Sequence, residues 1–279
     1  MLRQLKYSNG KEEIEIGQGQ NSPFLLTDVQ GLGYSNEIYT TTSIYQDGET
    51  VNGFNLKMRN ITIELSIIKN YIVNRNKLYN VFTPKKEGTF YYIQGDVKRK
   101  ANAYVESVDT AEKNDVQTVI ISLLCPDPFF YDLQDTFNYM ATWEKGFYFP
   151  VPYGIETVVF GTRNNEQVKN IINYGNAKTP IIIHFNNNYP FKITNPSLTK
   201  VETGEFVKVN ETISQNESII INTKTKRIEK GDLNIFRKRV RGSQFFMLDV
   251  GDNYFRFDAD ENVEYLDVII EYNSAYLGV

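Results

Sequence analysis

The stretch "SLLCPDPFFYDL", residues 122–133, ends one run of structure and begins another. Ser122 to Leu124 finish an apolar, strand-like segment. Pro126 and Pro128 lack the N–H donors that a continuing ladder would need. Phe129, Phe130 and Tyr131 then bring aromatic bulk suited to a seam between domains. Read this way, the stretch is a domain boundary with Pro126 and Pro128 as a hinge of restricted flexibility. A second reading makes Cys125 a nucleophile with His184 as its base, since each is the only residue of its type. Neither carries a local nucleophile signature. A free cysteine at the end of an apolar strand behaves as a small buried hydrophobe, and alternation in "PIIIHF" (180–185) puts His184 on the outer face of a sheet. The boundary reading is the stronger.

A chain of 279 residues suits two domains, each able to bury its own core. Hydrophobic residues at 41% and charged residues at 23% are ordinary globular values. The 19 Tyr and 18 Phe, with many Ile, Val and Thr, favour strands, so the expected class is mainly β. One cysteine excludes an internal disulfide, and one cysteine with one histidine excludes the usual zinc ligand sets; no cofactor is expected. The first residues hold no apolar core of signal-peptide length, and nowhere do 18 apolar residues run together. The expectation is a protein made in the cytoplasm, with no membrane partner. Basic and acidic residues balance at 14 each through Cys125, so the net charge of -4 lies in the second half. A nucleic-acid binder would lean the other way, so no specific nucleic-acid partner is expected.

Period-2 alternation marks strands in "EEIEIG" (12–17), "KMRNITIELSII" (57–68), "QTVIISLL" (117–124), "TPIIIHF" (179–185), "NESIIINT" (216–223), "NYFRFDA" (253–259) and "EYLDVIIEY" (264–272). Turn signals at Asn9-Gly10, Asp47-Gly48, Glu87-Gly88 and Gly251-Asp252 separate them. Many short strands at this spacing read as sandwiches or barrels. One segment differs: Tyr71, Arg75, Leu78 and Phe82 recur at helical spacing, flanked by Ile72 and Tyr79 and stopped by Pro84, which predicts a single helix over 70–82. The second half reads as all β.

Glu37 to Leu65 reads as a long hairpin whose Asp47-Gly48 pair predicts a tight type I′ turn. Arms of nine or ten residues at ~3.3 Å each would reach roughly 30 Å. The near arm, rich in Thr and Tyr, lacks the strictly apolar residues a core requires. Such a hairpin either lies on its own sandwich or pairs with another chain, and the residues alone leave both open.

The remaining chemical candidates are weak. Asp258, Asp260, Glu261 and Glu264 cluster as glycosidase carboxylates could, but they follow a strand whose end is solvated in any case, and their spacing is not that of a calcium loop. "GLG" (31–33) precedes a strand, which rules out a phosphate loop. In "FRKRVRG" (236–242), strand alternation would put Arg237, Arg239 and Arg241 on one face, suiting solvent or an anionic protein partner. These features point to a structural or binding protein, not an enzyme.

In order and spacing, "GQNSPFLLTDVQGLG", "DGETVNG", "MRNITIEL", "NRNKLYNVFTPKKEGTFYY", "VIISLLCPDPFFYD", "GNAKTPIIIHF", "ESIIINTKTKRI", "GDNYFRFDAD" and "VIIEYNSAYLGV" resemble the distal tail protein (Dit) family of siphophages. The resemblance spans nearly the whole chain. It implies two β-sandwich domains. Residues 1–130 form the first, with one helix and a hairpin at about 37–65 that belts a neighbouring subunit; residues 131–279 form a galectin-like second. It further implies a virion tail-tip location and a homohexameric ring, single or as two stacked rings, joining the tail tube protein to the tail-associated hub protein. A receptor-binding protein or host cell-wall carbohydrate is a further partner. Ring-interface residues would be Tyr39, Thr41, Ile44, Tyr45, Asp47 and Gly48. The alternative function is a lectin-like module for cell-wall sugars, with Trp143 stacking on a sugar ring; a Trp so near a domain's start more commonly packs.

Overall fold

The computed structural model describes residues 3–18, 22–45, 47–113, 116–140, 142–145, 161–164 and 168–279. They divide into two compact units: Met1–Leu133 with Ala275–Val279, and Gln134–Ser274. The second unit is therefore inserted in the chain between two segments of the first.

In unit 1 the elements are β1 (Gln4–Ser8), β2 (Glu13–Gly17), β3 (Phe24–Gln30), β4 (Asn36–Thr41), β5 (Thr50–Leu56), β6 (Arg59–Ile67), α1 (Tyr71–Val81), β7 (Glu87–Gln94), β8 (Val97–Lys113), β9 (Val116–Cys125) and β10 (Phe130–Tyr131). Seven strands hydrogen-bond in the order β8-β7-β1-β2-β3-β6-β9, and a further β8–β9 pairing closes this sheet into a barrel. The 17-residue β8 makes closure possible. Its first half pairs with β7, its second half with β9, and the register shifts between Val105 and Ser107 where it passes from one to the other. Ile61, Ile63 and Leu65 on β6 and Val119, Ile121 and Leu123 on β9 are buried at every second position, as alternation requires.

The helix occupies 71–81 and packs on β2 and β6. Leu78, Val81 and Phe82 are buried, and the Phe82 ring stacks on Tyr7 with centroids 4.5 Å apart. Ile72 and Tyr79, expected beside the packed face, are exposed instead. With Leu78, Val81 and Phe82 inward, a period of 3.6 turns both positions outward. Gly88, read as a turn residue, lies inside β7, where a Cβ would meet the Tyr7 hydroxyl at 2.3 Å. It is there for close packing.

Unit 2 contains β11 (Thr136–Tyr139), β12 (Thr142–Lys145), β13 (Gly161–Asn164), β14 (Val168–Asn173), β15 (Ile181–Asn187), β16 (Ile193–Thr194), β17 (Ser197–Lys200), β18 (Phe206–Lys208), β19 (Thr212–Ile213), β20 (Glu217–Asn222), β21 (Arg227–Lys230), β22 (Leu233–Asn234), β23 (Gly251–Asp258) and β24 (Asp267–Tyr272). A six-stranded sheet, β11-β24-β15-β20-β21-β22, and a four-stranded sheet, β14-β23-β17-β18, form an antiparallel sandwich. Ile181, Ile183 and Phe185 of β15 meet Leu198, Phe255 and Phe257 of the smaller sheet in one buried cluster. The basic run is not a strand: Phe236–Lys238 is a 3₁₀ turn, and Arg239 stacks over Phe236 and Phe245 at 5.0 and 5.4 Å. Cation–aromatic contacts hold the run locally, which alternation could not show.

The last strand, β25 (Ala275–Tyr276), returns to unit 1, where Phe130 pairs with Tyr276 and Tyr131 with both Ala275 and Lys100. Arg99 binds Asp132 at 2.6 Å and lies 3.6 Å over the Tyr276 ring, and Lys100 Nζ donates to the Leu133 carbonyl. These ties carry the first unit past Phe130 to Leu133. Pro126 and Pro128 consequently lie within unit 1 rather than at its edge, and Phe130 is fully buried in its core. Those two prolines follow the end of β9 and fall before the last residue of this part of unit 1.

Candidate interaction site

Strands β4 and β5 form a two-stranded sheet of their own, separate from the strand ladder of the barrel. Pairing runs from Asn36↔Leu56 to Thr41↔Thr50, with a bulge between Tyr39 and Thr40. The second arm therefore ends at Leu56 instead of continuing to Leu65, because Arg59–Ile67 is spent on pairing with β3 and β9 inside the barrel. Nor is the end a two-residue turn. The last ladder pair is Thr41↔Thr50, which separates the arms by more than the two residues a type I′ turn allows, and at the tip Tyr45 (φ 67°) and Gly48 (φ 83°) take positive φ.

The hairpin exposes a large apolar surface for its size. Ile44 is 87%, Tyr45 104% and Phe54 71% exposed, and Ile38, Tyr39 and Val51 are also exposed. Ile38 faces Phe54 across the ladder. Thr41 shares a hydrogen bond with Asn52 at 3.2 Å, and Tyr39 donates to Glu37. An isolated two-stranded hairpin is marginal in water, and a contiguous exposed apolar surface marks an interaction site. Of the residues expected at an interface, Ile44, Tyr45, Asp47 and Gly48 sit in the tip loop, and Tyr39 and Thr41 on the first arm.

The root of this hairpin is fixed by a buried side chain that sequence reasoning did not single out. Arg59 opens β6, and its guanidinium donates to the carbonyls of Gly31 (2.9 Å), Gly33, Pro128 (3.0 Å from Nε and 2.6 Å from Nη2) and Leu277 (2.7 Å). All five guanidinium donors are used. Phe130 covers the group from 4.3 Å, and burial lowers its pKa from the ordinary guanidinium value. Arg59 thus joins the segment leading into the hairpin, the turn after β9 and the returning residues after β25. Gly31 fits this arrangement only as glycine. It has φ 80°, and a Cβ there would meet the Asn60 carbonyl oxygen at 1.8 Å. The chain continues into the hairpin with Lys57 N–H donating to Ser35 at 2.9 Å.

The chemical candidates resolve into structural roles. Cys125 is fully buried, and burial raises its thiol to about 11, so it stays protonated. His184 on β15 contacts Glu271 on β24 at 2.9 Å, a cross-strand pair. Asp260 binds Lys208 and accepts from Asn195 at 2.8 Å, while Glu261 accepts from Thr194 at 2.9 Å. Both carboxylates tie the segment after β23 to the end of β16, and Asp260 ties it also to the end of β18. Among the described residues no group of three or more His, Cys, Asp or Glu could hold a metal. Trp143 lies on β12, its backbone opposite Arg163; its side chain, and with it the sugar-stacking role, lies outside the described residues.

Comparison with known proteins gives the same two-part division. Residues 12–125 match the phage tail protein RIFT-related domain, and residues 174–276 match the siphovirus-type tail component, C-terminal domain. The structure of SPP1 Dit (gp 19.1), described as a paradigm of hub adsorption apparatus in Gram-positive infecting phages, is similar over 97% of this chain and 98% of its own, with a TM-score of 0.70 and 13% identity. A chain of the phage P2 baseplate in its activated conformation with Ca is similar over 100% of both, with a TM-score of 0.55 and 15% identity. The same baseplate with Sr aligns over 97% of both chains, with a TM-score of 0.52 and 14% identity. At such identities the likeness is one of fold. No curated protein matches the sequence.

Proposed function

The chain belongs to the distal tail protein (Dit) family of siphophages, structural components of the virion tail tip, and from that premise we propose that six copies form a closed ring by donating their β4–β5 hairpins head to tail. The ring joins the tail tube to the hub and the receptor-binding apparatus, and the protein works by assembly without enzymatic activity. The observation that carries this reading is the hairpin's uncovered apolar surface on a rigidly held root.

Fully burying a large apolar side chain contributes about 1.5–3 kcal/mol, so covering Ile38, Ile44, Tyr45, Val51 and Phe54 yields roughly 10 kcal/mol. Association costs a comparable ~4–15 kcal/mol. One hairpin contact alone is therefore weak, whereas in a closed ring each copy makes two, and the later contacts form within an already tethered assembly. Light scattering on the purified chain tests this. A hexamer has six times 32.3 kDa, about 194 kDa, and negative-stain images would show a ring with a central hole. A chain that remains monomeric at high concentration with its tube and hub partners present would refute the proposal.

A further inference from the structure

In a head-to-tail ring the donating and accepting surfaces differ, and the accepting surface must be found elsewhere on this chain. Resting on the ring reading above, we propose that the hairpin tip of one copy docks on the outward face of α1 in the next.

Charge and apolar surface both support this pairing. From Glu12 to Leu56 the sequence contains no Lys or Arg, and the hairpin carries Glu37, Asp47 and Glu49. Glu37 pairs with Lys57 at the root, which leaves Asp47 and Glu49 as the exposed charges of the tip. From Leu65 to Lys86 the pattern reverses: Lys69, Arg75, Lys77, Lys85 and Lys86 occur with no Asp or Glu. Glu13, on the strand against which α1 packs, is paired with Lys6 at 2.6 Å. Opposite charges of this kind set the register of an encounter.

The same helix exposes Ile72 (67%) and Val73 (69%), with Tyr79 one further turn along and Ile68 just before it. Its other side is already occupied by the barrel through Leu78, Val81 and Phe82. A helix that is apolar on both sides is covered on both sides. Among the described residues of unit 1 outside the hairpin, this is an exposed apolar helical surface whose own segment carries only basic charge, Glu13 and Glu15 of β2 lying beside Lys77 at its edge, and Ile44 and Tyr45 at the acidic tip are its complement.

The test uses the full chain and four exposed residues. Asp47→Lys with Glu49→Lys makes the tip basic; Lys77→Glu with Lys85→Glu makes the helix face acidic. Each double variant alone places like charges together and is expected to fall to 32.3 kDa in light scattering, with unchanged thermal unfolding. Mixed in equal amounts, the two variants complement each other around an alternating ring, and the ring mass should return. The variant with all four changes should assemble by itself. Retention of the ring by either double variant, or failure of the mixture to assemble, overturns the docking while leaving the ring intact as a reading. A wild-type chain that stays at 32.3 kDa overturns the ring first and the docking with it.

Discussion

Arg59 is the residue whose replacement is expected to cost unit 1 most per atom removed. Arg59→Ala would leave the carbonyls of Gly31, Gly33, Pro128 and Leu277 without their donor in a buried site under Phe130. Each hydrogen bond to a charged group contributes about 1.5–3 kcal/mol. Desolvation of the guanidinium offsets part of that sum, and water entering the vacated space restores another part, so a net loss of about 3–5 kcal/mol is expected. For a unit of this size, about 4 °C per kcal/mol implies a Tm fall of roughly 12–20 °C.

Arg59→Lys keeps the charge but offers three donors to four carbonyls and should lose about half as much. Urea unfolding followed by tyrosine fluorescence would give the free energies. Hydrogen exchange would locate the effect: peptides covering 31–36 and 275–279 should lose protection together, with the second unit unchanged. A loss below about 1 kcal/mol for the Ala variant, or a Lys variant equal to wild type, would show that water serves these carbonyls as well as Arg59 does.

Gly31→Ala forces a Cβ into the Asn60 carbonyl at positive φ and should destabilise unit 1 by more than about 3 kcal/mol, read from the same urea midpoints. Cys125 should fail to react with a thiol reagent at pH 8 in the native protein and react fully in denaturant; native-state labelling at the rate of a free thiol would contradict its burial. Asp249, held below the usual carboxylate range by Lys178 and by the buried Lys200, contributes stability at neutral pH that is lost as pH falls through about 4 and below. Asp249→Asn should therefore cost unit 2 about 1 kcal/mol at pH 7, allowing for solvent screening, and progressively less as the pH is taken down from about 4, in paired urea titrations. Shortening the hairpin by joining Ser35 to Lys57 through two glycines should leave unit 1 stability within about 0.5 kcal/mol and abolish assembly.

Strand positions were legible wherever one face meets a core. β2, β6, β9, β15, β20, β23 and β24 all alternate, and the structure buries the alternate residues. β8 escaped notice because its first half turns Ala101 and Ala103 inward, residues too small and too common in helices to mark a strand. The helix showed through its spacing, but Ile72 and Tyr79 read as core because composition does not distinguish a face covered by the barrel from one left exposed. The hairpin's existence was visible and its extent was not, since Arg59 to Ile67 looks equally suited to an arm or to a barrel strand.

The Arg59 site lay beyond sequence reading altogether. Its acceptors are backbone carbonyls, the farthest 218 positions away, and a carbonyl has no residue type to recognise. For the same reason nothing in "YNSAYLGV" marks Ala275–Tyr276 as a strand of the first unit.

That return has a bearing on how the protein is made. The barrel closes through β8 and β9, both finished by residue 125, so most of the first unit can fold while the ribosome is still producing the second. β25 and the Leu277 carbonyl come only after all of Gln134–Ser274 has been synthesised. Until then β10 is an open sheet edge, and the guanidinium at the hairpin's root lacks one of its acceptors. A product truncated anywhere in the second unit would carry a folded barrel, an unpaired edge and an incompletely fastened hairpin. The last fastening of the first unit thus waits on completion of the second.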